Sequence, residues 1–349
     1  MLDSIRDRLK QLPGRAYLLL AVLIFAASSS VTRKLTDIGA ANLIDGRNPL
    51  SFCNLLFVGN ICALATLLSV YRSELQISKL KSINPKRWFP LITAAILSGA
   101  LAPSLIFSAL QATSVNNVIL IGRIEPALML ALSVCFLKDR VNLWVIAGAV
   151  VSSIGVILTV LLQTPTDVMM SVVGIELGQG DLYTIAWAIT ASIASIISKV
   201  TLQNISLGLF SLVRTSLGTV IFFLIALQLF GAEHFIDVTS PLLWRWMIFY
   251  GAVIVVGGQL LWRSGLKRSS IAEVSLANSF NPIAGIIASF LLLGEAPTMA
   301  HYIGGVVILV GIILNQIGLL RSPQLPVEDS KDAIAEEIEM SSEAGFKGI

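Results

Sequence analysis

Charge is what this chain has least of. Asp, Glu, Lys and Arg make up 13% of its 349 residues, against 55% hydrophobic ones. A soluble domain is about 25% charged, so most of this chain is built for lipid rather than water. Histidine is almost absent (two residues, His234 and His301), and neither has metal-ligand spacing. The three cysteines, Cys53, Cys62 and Cys135, lie in apolar stretches without a zinc or disulfide pattern. No Gly-rich phosphate loop is present, and no basic stripe interleaved with aromatics. These absences exclude nucleic-acid binding and leave an enzyme without a His, Cys or carboxylate constellation. No cofactor or metal is expected. A channel or a structural membrane protein remains as the other class beside a transporter.

What the chain does have is long apolar runs. Ten reach membrane length, at about 16–35, 49–70, 88–110, 115–137, 142–162, 181–203, 208–230, 243–265, 271–293 and 300–320. The expected fold is therefore an all-α integral membrane protein of ten transmembrane helices. The first run competes with a signal peptide, but its counterpart at about Leu182–Ser198 argues for a permanent helix. Residues 1–15 read as a cytoplasmic interfacial segment, with Leu2, Ile5, Leu9 and Leu12 on one face and Arg6, Arg8 and Lys10 beside them. Residues 163–180 form an external linker. Residues 321–349, rich in Asp and Glu, form an acidic cytoplasmic tail expected to be disordered.

The chain is internally duplicated, 16–162 against 181–320. An offset of 156 (282 − 126) carries Pro126 onto Pro282 and Gly148 onto Gly304, and it aligns Trp88–Leu158 with Trp244–Leu314 without a gap. Ser108-Ala109-Leu110 then falls on Ser264-Gly265-Leu266, and Phe136-Leu137-Lys138-Asp139 on Leu292-Leu293-Gly294-Glu295. Each half has five helices, an odd number, so the second is expected upside down relative to the first. Basic residues agree at matched positions. Lys138 and Arg140 are basic where Gly294-Glu295-Ala296 is not, and Lys267-Arg268 is basic where Gln111-Ala112-Thr113 is not. With Arg72, Lys79, Lys81, Lys86 and Arg87 counted inside, both termini are cytoplasmic, and only Arg33, Lys34 and Arg47 dissent. Inverted repeats are a transporter architecture, with the substrate site expected near the midplane between the halves.

The stretch Ile121-Gly122-Arg123-Ile124-Glu125-Pro126 puts two charges and a proline about ten residues into the fourth run, about 15 Å deep at 1.5 Å per residue. A charge at that depth costs about 2.5–3.5 kcal/mol unless something offsets it. Two positions apart on one helix, Arg123 and Glu125 point about 200° apart and cannot pair closely with each other. Each therefore needs a partner on another helix, or a wet cavity. Arg214 is the other deep charge, with Asn54 as its repeat counterpart. Pro126 and Pro282 free carbonyls one turn back, at Gly122 and Asn278, and are the candidate helix breaks. Asn278 and Asn281 bring polar groups to the same depth in the second half. Trp187, Gln111, Asn116 and Asn117 are weaker candidates. Gly148 and Gly155, like Gly304 and Gly311, share a face suited to close helix packing.

These motifs carry a resemblance. Glu125-Pro126, Leu137-Lys138-Asp139, Gly148 and Gly155, repeated as Asn281-Pro282, Leu293-Gly294-Glu295, Gly304 and Gly311, resemble the drug/metabolite transporter superfamily and its EamA-like family over about residues 16–320. The resemblance implies a central cavity enclosed by helices 1–4 and 6–9, with helices 5 and 10 outside. It also implies alternating access and efflux of small metabolites, often by exchange or proton coupling. Lys138 stands where the family usually has glycine. Arg123 and Glu125 lie outside the family-wide pattern, where this chain's own substrate choice would reside. The reading reached is a secondary transporter exporting a small polar metabolite, an amino acid or related zwitterion or carboxylate. The alternative is a multidrug or lipophilic-cation exporter. Its partners are then the substrate and the lipid bilayer, with a homodimer allowed for. With Asp3 and Asp7 early, against an organellar leader, the bacterial plasma (inner) membrane is expected.

Overall fold

A computed structural model describes residues 13–70, 85–137, 141–162, 169–172, 175–202, 205, 207–269 and 271–321. The N-terminal amphipathic segment, the basic residues Arg72, Lys79 and Lys81, the Lys138-Asp139-Arg140 turn and the acidic tail lie outside the described residues.

In chain order the rods are α1 (Gly14–Ala41), α2 (Phe52–Val70), α3 (Pro85–Ile96, Leu97–Leu101, Ala102–Ala112), α4 (Val115–Ile121, Ile124–Leu132, Ser133–Leu137) and α5 (Leu143–Leu161). After the linker come α6 (Gln179–Leu202), α7 (Leu207–Phe230), α8 (Pro241–Tyr250, Gly251–Gly257, Gly258–Arg268), α9 (Ile271–Ser279, Asn281–Leu293) and α10 (Met299–Arg321). Among the described residues seven helices are long and apolar enough to cross a membrane, those of α1, α3, α4, α5, α6, α7 and α10. Shorter apolar helices cover Phe52–Ala65, Pro241–Ile254 and Asn281–Leu293.

Three features depart from the sequence reading. The linker is not wholly irregular, and the chain is not wholly α: Met169–Val172 and Ile175–Gly178 pair as an antiparallel hairpin, Met169 opposite Gly178. A run of four residues is too short for strand alternation to stand out. Secondly, α1 runs to Ala41 rather than about 35, carrying Arg33 and Lys34 within the helix. Arg33 donates to the Leu110 carbonyl at the end of α3 and pairs with Asp37 at 3.5 Å. Arg47 pairs with the buried Asp237 at 3.0 Å, so neither dissenting arginine is a bare loop charge. Thirdly, α3 and α8 are interrupted by π-helical turns at Leu97–Leu101 and Gly251–Gly257, which overlap under the repeat offset. π-turns are rare and favour functional sites.

The halves interleave. In the first, α1 packs mainly on α8 and α9; its repeat partner α6 packs mainly on α3 and α4. The α5 and α10 rods pair antiparallel through the expected glycine faces, with α4 and α9 as further neighbours. A Cβ on Gly148 would lie 2.6 Å from the Gly311 carbonyl, and one on Gly155 2.8 Å from the Gly304 carbonyl. Each glycine thus meets the repeat partner of the other, as rods related by a two-fold axis would. The largest buried apolar cluster runs through α2, α3, α6 and α8, with Leu55, Phe107, Ala188 and Tyr250 among its members.

Candidate functional site

α4 and α9 break where their sequences said they would. Pro126 has no N–H to donate, and α4 stops at Ile121 and resumes at Ile124. Across the gap the backbone tightens to i→i−3 bonds, Arg123 N to Leu120 O and Glu125 N to Gly122 O, both 3.1 Å. The Gly122 carbonyl that Pro126 cannot serve is thereby satisfied. In α9 the break falls at Phe280, whose N–H bonds to Ala277 O at 3.1 Å, before Asn281 and Pro282 open the next helix. Under the repeat offset Phe280 corresponds to Ile124, so the α9 break falls one residue beyond the match of the α4 break at Gly122–Arg123.

Between them lies a partly open cavity enclosing about 750 Å³ of empty space, its mouth included. α4 contributes Gly122, Arg123, Glu125 and Pro126; α9 contributes Asn281 and Gly285. α1 supplies Phe25, Ser29 and Thr32, α3 supplies Phe107 and Leu110, and α6 supplies Trp187. Both halves therefore line it.

Arg123 and Glu125 are half-buried, and both line the cavity. Arg123 lies in the break itself, as the N-cap of the segment whose first turn carries Glu125. A wet cavity removes much of the cost of carrying two charges at this depth. The single Ser192 hydroxyl proton of α6 is shared between the Ala188 carbonyl at 2.7 Å and the Glu125 carbonyl at 3.0 Å, which sets α6 of the second half against the break.

Trp187 is 8% exposed, and its Nε1–H has no hydrogen-bond partner in the structure. Its ring packs over Gly122, where a Cβ would come within 3.0 Å of it. A glycine at the break is thus also required by the close approach of an indole. A buried indole N–H usually finds a partner; this one has none, although its residue lines the cavity.

The other expected residues fall elsewhere. Pro282 is buried behind the cavity, and Asn278 and Arg214 are not in its lining. Arg214 is 6% exposed on α7, and its carbonyl packs where α7 and α3 cross at Gly99 and Gly218. Its repeat counterpart Asn54 donates to the Pro49 carbonyl at 3.2 Å. The sequence reading missed Phe25, Ser29, Thr32 and Phe107. None stands out in an apolar run; the only available signal is the Ser28-Ser29-Ser30 cluster in α1.

Comparison with known proteins now bears on the whole arrangement. The sequence model of the EamA-like transporter family matches residues 12–161 and again residues 178–316. The chain belongs to the EamA-like transporter family. An uncharacterized transporter of Synechocystis, sll1164, is 43% identical over 341 residues, covering 98% of this chain and 97% of its own. An uncharacterized transporter of Clostridium kluyveri is 22% identical over 86% of this chain and 92% of its own. A solved structure described only as the crystal structure of a protein superposes with a TM-score of 0.53 at 17% identity. It covers 88% of this chain and 99% of that one, and the likeness concerns the fold alone. As a family member this chain is a multi-pass membrane protein and a transporter.

Proposed function

We propose that this EamA-like transporter is a ten-helix carrier built from two inverted repeats, 16–162 and 181–320. On this reading it exports a small polar zwitterion, such as an amino acid or a derivative, by alternating access. The observation that carries the proposal is the cavity between the α4 and α9 breaks, where one guanidinium, one carboxylate and an amide from the other repeat face a common space. Arg123 would meet the cargo's carboxylate, Glu125 its ammonium group or a coupling proton, and Asn281 and Trp187 its remaining polar edge. The exchanged glycine contacts of α5 and α10, and the packing of α1 on α8–α9 as of α6 on α3–α4, support a two-fold relation of the repeats. The basic-residue bias supports both termini in the cytoplasm, and the bacterial inner membrane is the proposed location. Nothing in this reading asks the protein for chemistry on its cargo.

A second reading has its own observation. Phe25, Phe107 and Trp187 line the same space as Glu125, and aromatic faces with one carboxylate also suit a lipophilic cation. Arg123 opposes it, because a guanidinium in the lining repels a cation.

The test is counterflow in proteoliposomes loaded with a pooled panel of amino acids, small organic acids and lipophilic cations. The zwitterion reading predicts exchange of one amino-acid class, reduced about tenfold or more by Glu125→Gln and by Arg123→Gln, since a hydrogen bond to a charged group contributes about 1.5–3 kcal/mol. Exchange indifferent to both substitutions would remove the site assignment. Cation exchange increased by Arg123→Gln would favour the second reading.

A further inference from the structure

The cavity is closed at one end and open at the other. Toward the turn from α3 to α4 its lining is buried, with Thr32, Leu110 and Val118 only 1%, 2% and 4% exposed. Toward the opposite end Pro126 is exposed, and no residue of Ile124–Leu132 is buried. At the closed end Arg33, the neighbour of Thr32 on α1, donates to the carbonyl of Leu110 on α3. That carbonyl belongs to the last turn of α3, where carbonyls lack helical partners and a cation is favoured. α1 packs mainly on α8 and α9, and α6 mainly on α3 and α4. The Arg33 bond therefore ties together the two groups of helices that flank the cavity. Two more ties lie at this end. Glu295 of α9 accepts from the Val115 N–H of α4 at 2.8 Å, and His301 of α10 meets Asn117 of α4 at 2.5 Å, which donates in turn to Asp181 of α6 at 3.2 Å.

The duplication supplies the counterpart of Arg33. α1 and α6 align at an offset of 166 (183 − 17), which carries Tyr17 onto Tyr183, Ser29 onto Ser195 and Arg33 onto Lys199. Matching contacts bear this register out. A Cβ on Gly14 would lie 2.7 Å from the Arg268 carbonyl, and one on its counterpart Gly180 would lie 2.7 Å from Thr113 N. α1 thus begins against the end of α8 as α6 begins against the end of α3. From there α1 crosses the bundle and reaches the far end of α3 with Arg33. The equivalent reach for α6 ends with Lys199 on the carbonyl of Leu266, the repeat partner of Leu110 in the last turn of α8. Lys199 is exposed, and it lies at the end of the bundle where the cavity is open.

We infer that Arg33 and Lys199 are paired gate cations that close opposite ends of the cavity in alternation, Arg33 on the end of α3, as here, and Lys199 on the end of α8. The inference rests on the carrier reading, because only a carrier of two inverted repeats has a second closure to make. The two caps are unequal. Lys267 and Arg268 adjoin Leu266 where the uncharged Gln111 and Ala112 adjoin Leu110. Like charges repel an approaching ammonium group, so the Lys199 cap is the weaker one and the Arg33-closed state is the resting one, the state of this structure. Under the proposed topology Arg33 faces the outside, against the basic-residue bias. A cation needed to close that end accounts for its dissent.

Double electron–electron resonance on the full protein in nanodiscs tests this without knowledge of the cargo. In a background without the native cysteines, spin labels at the exposed Ala40 and Gln111 read the α1–α3 end, and labels at the exposed Val200 and Leu260 read the α6–α8 end. Arg33→Met removes the donor, and Arg33→Ala serves if the first variant does not fold. Either should lengthen the first distance and shorten the second in the same fraction of molecules, with the ratio of the two states moving about tenfold or more. Adding Lys199→Met should reverse the shift, which a merely structural role for Arg33 would not produce. Arg33→Lys, which keeps a cation, should restore the wild-type distances. Distances unmoved by the loss of Arg33, a first end that opens while the second stays unchanged, or a shift that Lys199→Met leaves in place would each overturn the inference. If counterflow proceeds while the distances stay fixed, the gates fail and the carrier reading stands. If the distances switch but no cargo in the panel is exchanged, the gates stand and the cargo assignment fails.

Discussion

Neighbouring glycines on α10 should respond in opposite ways to the same substitution. A Cβ on Gly304 would collide with the Thr159 hydroxyl and lie 2.7 Å from the Gly155 carbonyl, a backbone atom that cannot step aside. A Cβ on Gly305 would meet nothing nearer than Leu120 Cδ2 at 3.9 Å. Both positions are helical, so Gly→Ala removes about 0.5–1 kcal/mol of unfolded-state freedom at each. At Gly305 that gain stands almost alone. At Gly304 the α5–α10 pair must separate, and overpacking costs about 1–3 kcal/mol. Gly305→Ala should therefore stabilise by about 0.5–1 kcal/mol, and Gly304→Ala should destabilise by about 1–2. The difference of about 1.5–3 kcal/mol corresponds to roughly 2–4 °C in midpoint for a chain of this size. Thermal unfolding of the purified variants in one detergent, read by the monodisperse fraction, measures it. Equal midpoints would refute the close α5–α10 crossing, and with it the strongest support for a two-fold relation of the repeats.

Three further outcomes follow from particular contacts. Arg47→Gln leaves the 5%-exposed Asp237 carboxylate without its guanidinium and should cost about 1–3 kcal/mol, seen as a lowered unfolding midpoint; an unchanged midpoint would make the pair ornamental. Trp187→Phe keeps a ring over Gly122 but removes the unpartnered Nε1–H. It should raise the apparent KM for exchange about tenfold with the midpoint unchanged, and an unaltered KM would take the indole out of cargo binding. Gly122→Ala places a methyl 2.7 Å from the Val118 carbonyl and 3.0 Å from the Trp187 ring, so it should impair exchange more than Gly305→Ala; equal activity would show that the α4 break tolerates a wider gap.

Much of the helical framework was legible because membrane helices announce themselves by length, and the breaks because proline leaves a carbonyl unserved in a predictable place. Arg123 and Glu125 could be singled out for their cost in lipid and Pro126 as a helix break, and all three line the cavity with Asn281. Arg214 drew attention for the same cost, yet depth alone does not say which way a side chain faces; it sits at the α3–α7 crossing instead. Ser29, Phe25 and Phe107 could not be found from periodicity, since apolar and small residues face lipid, neighbours and cavity alike. The π-turns were hidden because they alter hydrogen-bond register without altering composition. In the sequence His301 lies in or beside an external loop, Asn117 is only a weaker site candidate, and Asp181 draws no attention. Their convergence is a tertiary fact, made by rods from both repeats.

Alternating access is the central claim, and one cysteine tests it. With Cys53, Cys62 and Cys135 replaced, Ser29→Cys puts a single thiol in the cavity lining. A membrane-impermeant maleimide would be applied to sealed vesicles of known and opposite orientation. The account predicts that the thiol is modified from either side, each population protected when the other conformation is trapped. Modification from one side only, whatever the pH or added cargo, would contradict it.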